Sequence, residues 1–285
     1  MTSERWFFGG DLGVGRVGYG TMKLTGWPRG DAPDRDTALA ILRRAVELGV
    51  DHLDTSNYYA RAGVAANELI RTALHPYPAG LVIVTKVGAL VEGDDLGRPA
   101  AEHTGLTPDG LRRGVEANLR TLGLDQLDVV NLRLGDRGHA DAPLEPALET
   151  LMALRAEGLI RHLGVSNVDR DQVDRARKVA DIVCVQNLYN IAARDDDPLV
   201  DACAEAGIAY VPFFPVGGFA PLTADALSTV AARHGASVPQ VALAWLLARS
   251  PNIVLIPGTG SPAHLEENVA AGGLRLTSED LARLG

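Results

Sequence analysis

The 285-residue chain carries only two cysteines, Cys184 and Cys203, each inside an apolar run. Two thiols in a chain of this length do not form a disulfide framework and read as buried thiols of a reducing compartment. Basic charge is also in short supply. Against 36 Asp and Glu stand 27 Lys and Arg, a formal net charge of −9. Nonspecific nucleic-acid binding needs a basic footprint, so nucleic acid is not an expected partner. No apolar run approaches the roughly 20 residues that cross a bilayer, so no membrane association is expected. The opening MTSERWFFGGD has no long apolar stretch of signal-peptide type, and the default location is cytoplasmic. No residue-level repeat and no compositional linker divides the chain, no metal site is assigned, and nothing sets an oligomeric state. Residues 1–285 are therefore expected to form one domain, a size that α/β barrels reach.

What is present is an alternation of short apolar strands and amphipathic helices. Strands are predicted over Val17–Thr21, His52–Asp54, Leu81–Lys86, Asp128–Leu132, His162–Ser166, Ile182–Gln186, Ala209–Phe213 and Ile253–Pro257. Helical periodicity covers Asp36–Leu48, Pro108–Leu122, Leu144–Glu157, Asp169–Val179, Pro198–Ala206, Ala224–His234, Pro239–Ala248 and Pro262–Ala271, with a last short helix at Thr277–Leu284. Thr107 before Pro108 is an N-cap with proline at the first helical position. Such alternation implies a parallel sheet with crossover helices. Eight strands match a closed (β/α)8 barrel, and periodicity alone leaves an open doubly wound sheet as the alternative. Phe7–Leu12 reads as a β-hairpin that plugs one barrel end. The longest loop candidate is Gly88–Thr104.

Two motifs invite misreading. Gly13-Val14-Gly15-Arg16-Val17-Gly18 fits G-x-G-x-x-G, but that fingerprint needs a strand before it and a helix N-terminus after it. Here a hairpin precedes and a strand follows. Tyr19 and Lys23 fit Y-x-x-x-K, which belongs on a helix that Gly20 disfavours.

The polar residues that end the apolar strands carry the chemistry, because barrel active sites lie at the strand C-termini. Strand two ends in Asp54-Thr55-Ser56-Asn57-Tyr58-Tyr59, strand three in Thr85-Lys86, strand four in Leu132-Arg133 and strand six in Gln186-Asn187. Asp54 and Lys86 end neighbouring strands, so the carboxylate would keep a partly buried ammonium charged. That ammonium is expected to lower the pKa of Tyr59 and make it a better general acid. The last strand runs into Gly258-Thr259-Gly260-Ser261 ahead of a helix at Pro262, an N-terminus suited to phosphate.

Asp54-Thr55, Tyr59 and Asn67-Glu68 resemble the signature D-T-A-x-x-Y-G…N-E of the aldo-keto reductases. Thr85-Lys86, Gly164-Val165-Ser166-Asn167 and Ile256-Pro257-Gly258-Thr259 with Glu267-Asn268 extend the likeness in the same order along the chain. The resemblance implies a barrel enzyme that reduces an aldehyde or ketone with NADPH, NADH being the alternative, and with Tyr59 as proton donor tuned by Lys86 and Asp54. It implies that Ser166, Asn167 and Gln186 hold the nicotinamide carboxamide. Phe213 stands where the family stacks an aromatic on the nicotinamide, and Glu267 and Asn268 stand where it contacts adenine. Gly20, Thr21, Pro215, Gly217 and Gly258–Ser261 complete the expected cofactor contacts, and Met22, Trp27, Tyr58 and Phe214 the substrate pocket.

Three positions depart from the family pattern. Arg133 replaces a catalytic His after strand four and is expected to be catalytic, to anchor substrate, or to pair with Asp136. Ala60 replaces a Gly after Tyr59. Gly258 and His264 replace the Lys and Arg that bind the 2′-phosphate of NADP. Asn131-Leu132-Arg133 and the run from Ile256 to Asn268 (I-P-G-T-x-S-x-x-H-L-E-E-N) resemble a bacterial branch that includes pyridoxal-reductase-like proteins. The loss of the His leaves a second reading, a nucleotide-binding regulatory subunit like the channel-associated barrels of this family.

Overall fold

Thr107 shows how local signals set the elements. Its side chain accepts from the backbone N–H of Gly110, Pro108 takes the first helical position, and Gly123 ends the helix in the left-handed conformation at φ 71°. The computed structural model describes residues 5–28, 30–88, 104–135, 143–218 and 225–285. In chain order the elements are the strands β1 (Arg5–Phe8), β2 (Leu12–Gly15) and β3 (Tyr19–Gly20), helix α1 (Arg35–Glu47), strands β4 (His52–Asp54), β5 (Ala60–Arg61) and β6 (Val64–Ala65), then α2 (Ala66–Leu74) and β7 (Val82–Val87). There follow α3 (Pro108–Leu122), β8 (Leu127–Arg133), α4 (Leu144–Ala156), β9 (Ile160–Ser166), α5 (Arg170–Val179), β10 (Ile182–Leu188), α6 (Asp197–Glu205) and β11 (Ala209–Phe213). The chain closes with α7 (Asp225–His234), α8 (Val238–Arg249), α9 (Pro262–Ala270) and α10 (Ser278–Leu284). Most of the Gly88–Thr104 loop, Asp136 and Ala224 lie outside the described residues.

Seven strands pair in the order β11-β10-β9-β8-β7-β4-β3, every neighbour parallel. The eighth predicted strand closes the ring through two parallel bridges, Tyr210 to Ile253 on one side and Val17 to Leu255 on the other. Backbone hydrogen bonds run along both edges of that seam. Tyr210 N donates to Asn252 O at 2.9 Å and Val254 N to Tyr210 O at 3.0 Å. Across the other edge, Leu255 N donates to Arg16 O and Gly18 N to Leu255 O, both at 2.8 Å. The (β/α)8 barrel is thus closed, with its last strand shorter than the apolar run suggested.

The alternation of strand residues separates two cores. Val82, Val84, Val129, Cys184, Ala209, Val211, Val254 and Ile256 form one cluster inside the barrel, together with Phe8, Leu12 and Val14 of the β1–β2 hairpin. The intervening residues, among them Ile83, Val130, Leu163, Val165 and Leu255, pack outward against the helices. The hairpin is therefore the plug expected from the sequence, and Asp11 at its turn latches it to Arg161 and His162, both at 2.7 Å. Gly18, from the G-x-G-x-x-G run, makes room for a side chain: a Cβ there would lie 2.1 Å from the His52 ring. Gly13 and Gly15 belong to β2, and no helix follows. Tyr19 sits in a strand and donates to Thr259 O at 2.6 Å, so the Y-x-x-x-K pattern is also incidental.

Helix α2 and the small β5–β6 hairpin were not expected. Helix α2 starts at Ala65 with no side-chain cap, and its buried face of Ala66, Asn67, Leu69, Ile70 and Leu74 includes a polar residue. It lacks a capping start signal, although Ala66, Leu69, Ile70 and Leu74 fall on one face at helical spacing.

Candidate active site

Strands β4 and β7 bring Asp54 and Lys86 together. Lys86 Nζ lies 2.6 Å from Asp54 Oδ1, and each side chain is only 4% exposed. Charges this deep must be paired and hydrogen-bonded to be tolerated. Further bonds hold each member: Lys86 Nζ also donates to Thr55 O at 3.1 Å, and Asp54 Oδ2 accepts from Gln186 Nε2 at 2.8 Å. Thr21 holds the same strand end, donating from N and Oγ1 to Asp54 O.

Above this pair lies an aromatic cluster. Tyr59 is in contact with Tyr58 (centroids 5.2 Å apart) and Trp27 (5.3 Å), and Met22 and Ala66 pack around them. The Lys86 ammonium is 5.0 Å from the Tyr59 ring centroid. The expected lowering of the Tyr59 pKa by Lys86 does not hold. Burial pushes the hydroxyl up, the Asp54 carboxylate pushes it further, and the Arg133 charge opposes them. Asp54, in contact with Lys86, cancels much of the lysine's field at the phenol. Arg133 lies with its guanidinium carbon 5.9 Å from the Tyr58 ring. Burial takes Tyr58 up to about 12, with Arg133 again acting downward.

Beside Tyr59 a cleft runs between Gly20, Met22 and Lys23 on one side and Phe213–Val216 and Gly218 on the other, with Asp54 at its floor and Ile256 and Gly258 along its wall. Gly20, Met22, Asp54, Tyr59, Phe213, Phe214, Pro215 and Gly258 were assigned to the site from the sequence. Lys23, Val216, Gly218 and Ile256 were not: Lys23 was tied up in a misleading motif, and Val216 and Ile256 look like core residues. Gly20 and Gly258 pass so closely that a Cβ on either would lie 2.5 Å from a carbonyl oxygen, that of Ile256 or of Gly20. Phe213 and Phe214 meet edge to face at 5.4 Å, and Phe214 holds the left-handed conformation at φ 56°. Gly217 N donates to Phe214 O at 3.0 Å.

The remaining predicted residues surround this cleft with varied commitments. Ser166 is buried at the end of β9. Asn167, at φ 61°, donates its amide to the carbonyls of Leu134 and Gly135. Gln186 Oε1 is buried with no hydrogen-bond partner among the described residues. Ser261 caps α9 by accepting from His264 N at 3.4 Å, and Thr259 Oγ1 accepts from Ser261 N at 3.0 Å. Gly260 packs against Pro33, His264 is exposed and Asn268 is buried. Glu267 Oε2 accepts from Ser237 Oγ at 2.9 Å, which turns it toward α8. Among the described residues no group of three or more His, Cys, Asp or Glu could hold a metal ion, and no helix is long and apolar enough to cross a membrane.

Comparison with known proteins agrees with this geometry. Residues 16–285 match the Aldo/keto reductase family. The chain is 52% identical to pyridoxine 4-dehydrogenase of Escherichia coli K12, over 99% of this chain and 98% of that protein. It is 36% identical to an uncharacterized oxidoreductase of Schizosaccharomyces pombe, over 96% of this chain and 87% of that one. Among solved structures it resembles an aldo-keto reductase from Klebsiella pneumoniae in complex with NADPH, with a TM-score of 0.80 and 30% identity, covering 100% of this chain and 94% of the other. A thermostable aldo-keto reductase in complex with the inhibitor epalrestat aligns with a TM-score of 0.82 and 30% identity, over 98% of each chain.

Proposed function

Because the chain belongs to the aldo/keto reductase family, we propose that it is an NADPH-dependent oxidoreductase that interconverts an aldehyde and its alcohol, with Tyr59 as the proton donor. The observation that carries this reading is the buried Asp54–Lys86 pair at 2.6 Å, with the lysine 5.0 Å from the Tyr59 ring. A structural tyrosine does not call for two desolvated charges beside it, whereas a tyrosine that must become a phenolate during turnover does.

The residues present fit a nicotinamide cofactor. Gln186 Oε1 is an unsatisfied acceptor suited to a carboxamide NH2. The glycine contact of Gly20 and Gly258 leaves a smooth wall, and α9 begins beside it with the positive end of its dipole, which favours phosphate. Phe213 supplies an aromatic face, while Ser166 and Asn167 end β9 nearby. Thr259, Ser261 and the exposed His264 stand in for the family's Lys and Arg at a 2′-phosphate. NADPH, when bound, supplies the hydride for the carbonyl carbon.

The chain's own residues manage the proton. Tyr59 gives its hydroxyl proton to the carbonyl oxygen and is left as a phenolate. Its raised pKa keeps it protonated, and so competent to donate, through the neutral range. Lys86 and Arg133 supply positive charge beside the phenolate, and Asp54 keeps Lys86 in place. Arg133 offers fixed donors to the substrate oxygen or to a second polar group.

Pyridoxal and pyridoxine are the substrate pair we assign, on the strength of the named relative and of the aromatic cluster of Tyr58, Tyr59 and Trp27 with Arg133 beside Tyr58. The whole chain acts as one domain in this reading, on a small carbonyl substrate. The test is NADPH oxidation followed by absorbance with pyridoxal and a panel of aldehydes and ketones. Turnover of none of them, with tight NADPH binding intact, would favour the regulatory-subunit reading instead.

A further inference from the structure

The parallel ladder between β4 and β7 ends at the pair Asp54–Val84. Lys86 lies two residues beyond it, and Thr55–Tyr59 continues as a loop. Strand pairing places the backbones of Asp54, opposite Gly20 and Val84, and of Lys86, opposite Asn131, but it does not extend to the loop that carries Tyr59. A buried amide cluster outside the barrel reaches all three segments.

Thr55 and Thr85, the residues next to Asp54 and Lys86, are completely buried. Thr55 Oγ1 donates to Asn67 Oδ1 on α2 at 2.8 Å, and Thr85 Oγ1 donates to Asn118 Oδ1 on α3 at 2.7 Å. The two amides are joined, since Asn67 Nδ2 donates to Asn118 Oδ1 at 3.0 Å. Asn118 Nδ2 then donates to Gly114 O at 2.9 Å, with longer contacts to Asn57 Oδ1 at 3.4 Å and Lys86 O at 3.5 Å. Neither Asn67 nor Asn118 borders the cleft.

We propose that Asn118, acting with Asn67, is a positioning residue that sets Lys86, Asp54 and the Tyr59 loop against one another from behind the barrel wall. The proposal rests on the reading of Tyr59 as proton donor. Its physical basis is the cost of the cluster. Buried amides surrounded by apolar helix faces such as Leu69, Ile70, Leu111 and Val115 gain little over a packed hydrophobic patch, but their fixed donors and acceptors impose one geometry. Small misplacements of catalytic groups carry large rate penalties.

The experiment compares Asn118→Ala, Thr85→Val, Thr85→Ser and Thr121→Val with the wild type by thermal denaturation, NADPH affinity, and the pH profile of kcat with pyridoxal. Thr121 is the control: its hydroxyl accepts from Asn67 Nδ2 at 3.0 Å and donates to Ala117 O, but it does not reach β4, β7 or Asn57. Asn118→Ala and Thr85→Val are expected to lower kcat about 10- to 100-fold and displace the alkaline limb of the profile, with NADPH affinity kept. Thr85→Ser, which keeps the hydroxyl, is expected to restore both. Thr121→Val is expected to lower Tm and leave the profile in place. Wild-type kcat and pH profile in folded Asn118→Ala and Thr85→Val would overturn the proposal, as would Thr121→Val reproducing their profile change. If Asn118→Ala does not fold, the isosteric Thr85→Val decides. Tyr59→Phe in the same assay separates the two readings: undiminished turnover there removes the proton-donor assignment itself, whereas its loss alongside unaffected cluster variants removes only the positioning role.

Discussion

The ammonium of Lys86 stands 5.0 Å from the ring centroid of Tyr59 while it is bonded to Asp54 at 2.6 Å, so the cation beside the phenol is already partnered. Burial first, and then the Asp54 carboxylate, raise the pKa of Tyr59, and its chemistry runs from the protonated form. Tyr59→Phe is expected to lower kcat at least about 100-fold with little change in NADPH affinity, as measured by steady-state kinetics and fluorescence titration. The pH dependence follows from the sign of the shift. Reduction needs the phenol protonated and should hold through neutrality, falling only in alkali. Alcohol oxidation needs the phenolate and should rise with pH. A reduction rate that collapsed between pH 6 and 8, about where an unshifted histidine titrates, would point to another donor.

Removing Lys86 leaves Asp54 buried without its cation. Lys86→Met is expected to abolish most activity and to cost about 3–5 kcal/mol of stability, the usual scale for breaking a buried pair. Adding Asp54→Asn removes the stranded charge. The double variant should therefore recover much of the lost Tm in calorimetry and none of the lost kcat. Recovery of both would mean that the pair is structural only.

Arg133 acts downward on both tyrosines and lies 5.9 Å from the Tyr58 ring. If it meets the reacting oxygen, Arg133→Ala lowers kcat for every carbonyl in a panel. If it holds a remote polar group, KM rises for substrates that carry one, pyridoxal among them. We expect the second pattern superimposed on a moderate first, because a guanidinium offers several donors at fixed angles. Unchanged kcat and KM across the panel would leave Arg133 without a role in the reaction.

The cofactor preference turns on α9. Ser261 caps its N-terminus and His264 is exposed one turn on, where the amides and dipole favour phosphate. NADPH is expected to be preferred over NADH in kcat/KM, by less than an arginine clamp would give. His264→Ala should narrow the preference without changing kcat. Equal kcat/KM for the two cofactors in the wild type would refute the assignment of this helix to the 2′-phosphate.

Much of this site could be read from the ends of the apolar strands. Asp54, Lys86, Arg133, Ser166, Gln186 and Phe213 each end a predicted strand, and they alternate with residues such as Val130, Val165 and Val185 that pack outward. Helix ends at Thr107, Asp169, Ser261 and Thr277 were equally legible, because a cap is a bond between residues three apart. Arg133 stood out as a departure from the family pattern.

The sequence by itself therefore determined the alternating elements and the identity of the residues at the strand ends, since these follow from short apolar runs, from the 3.6-residue helical period and from contacts within a few residues. Only the tertiary structure decided how those ends meet. The seam at Val17 and Leu255 joins residues more than two hundred positions apart, as does the close pass of Gly20 and Gly258. The direction of the Tyr59 pKa depends on burial and on Asp54 being spent on Lys86, which no local pattern contains. The Asn67–Asn118 bond likewise exists because two crossover helices lie side by side. Burial, ion pairing and hydrogen bonds between distant segments depend on distances in space, and only the folded chain sets those.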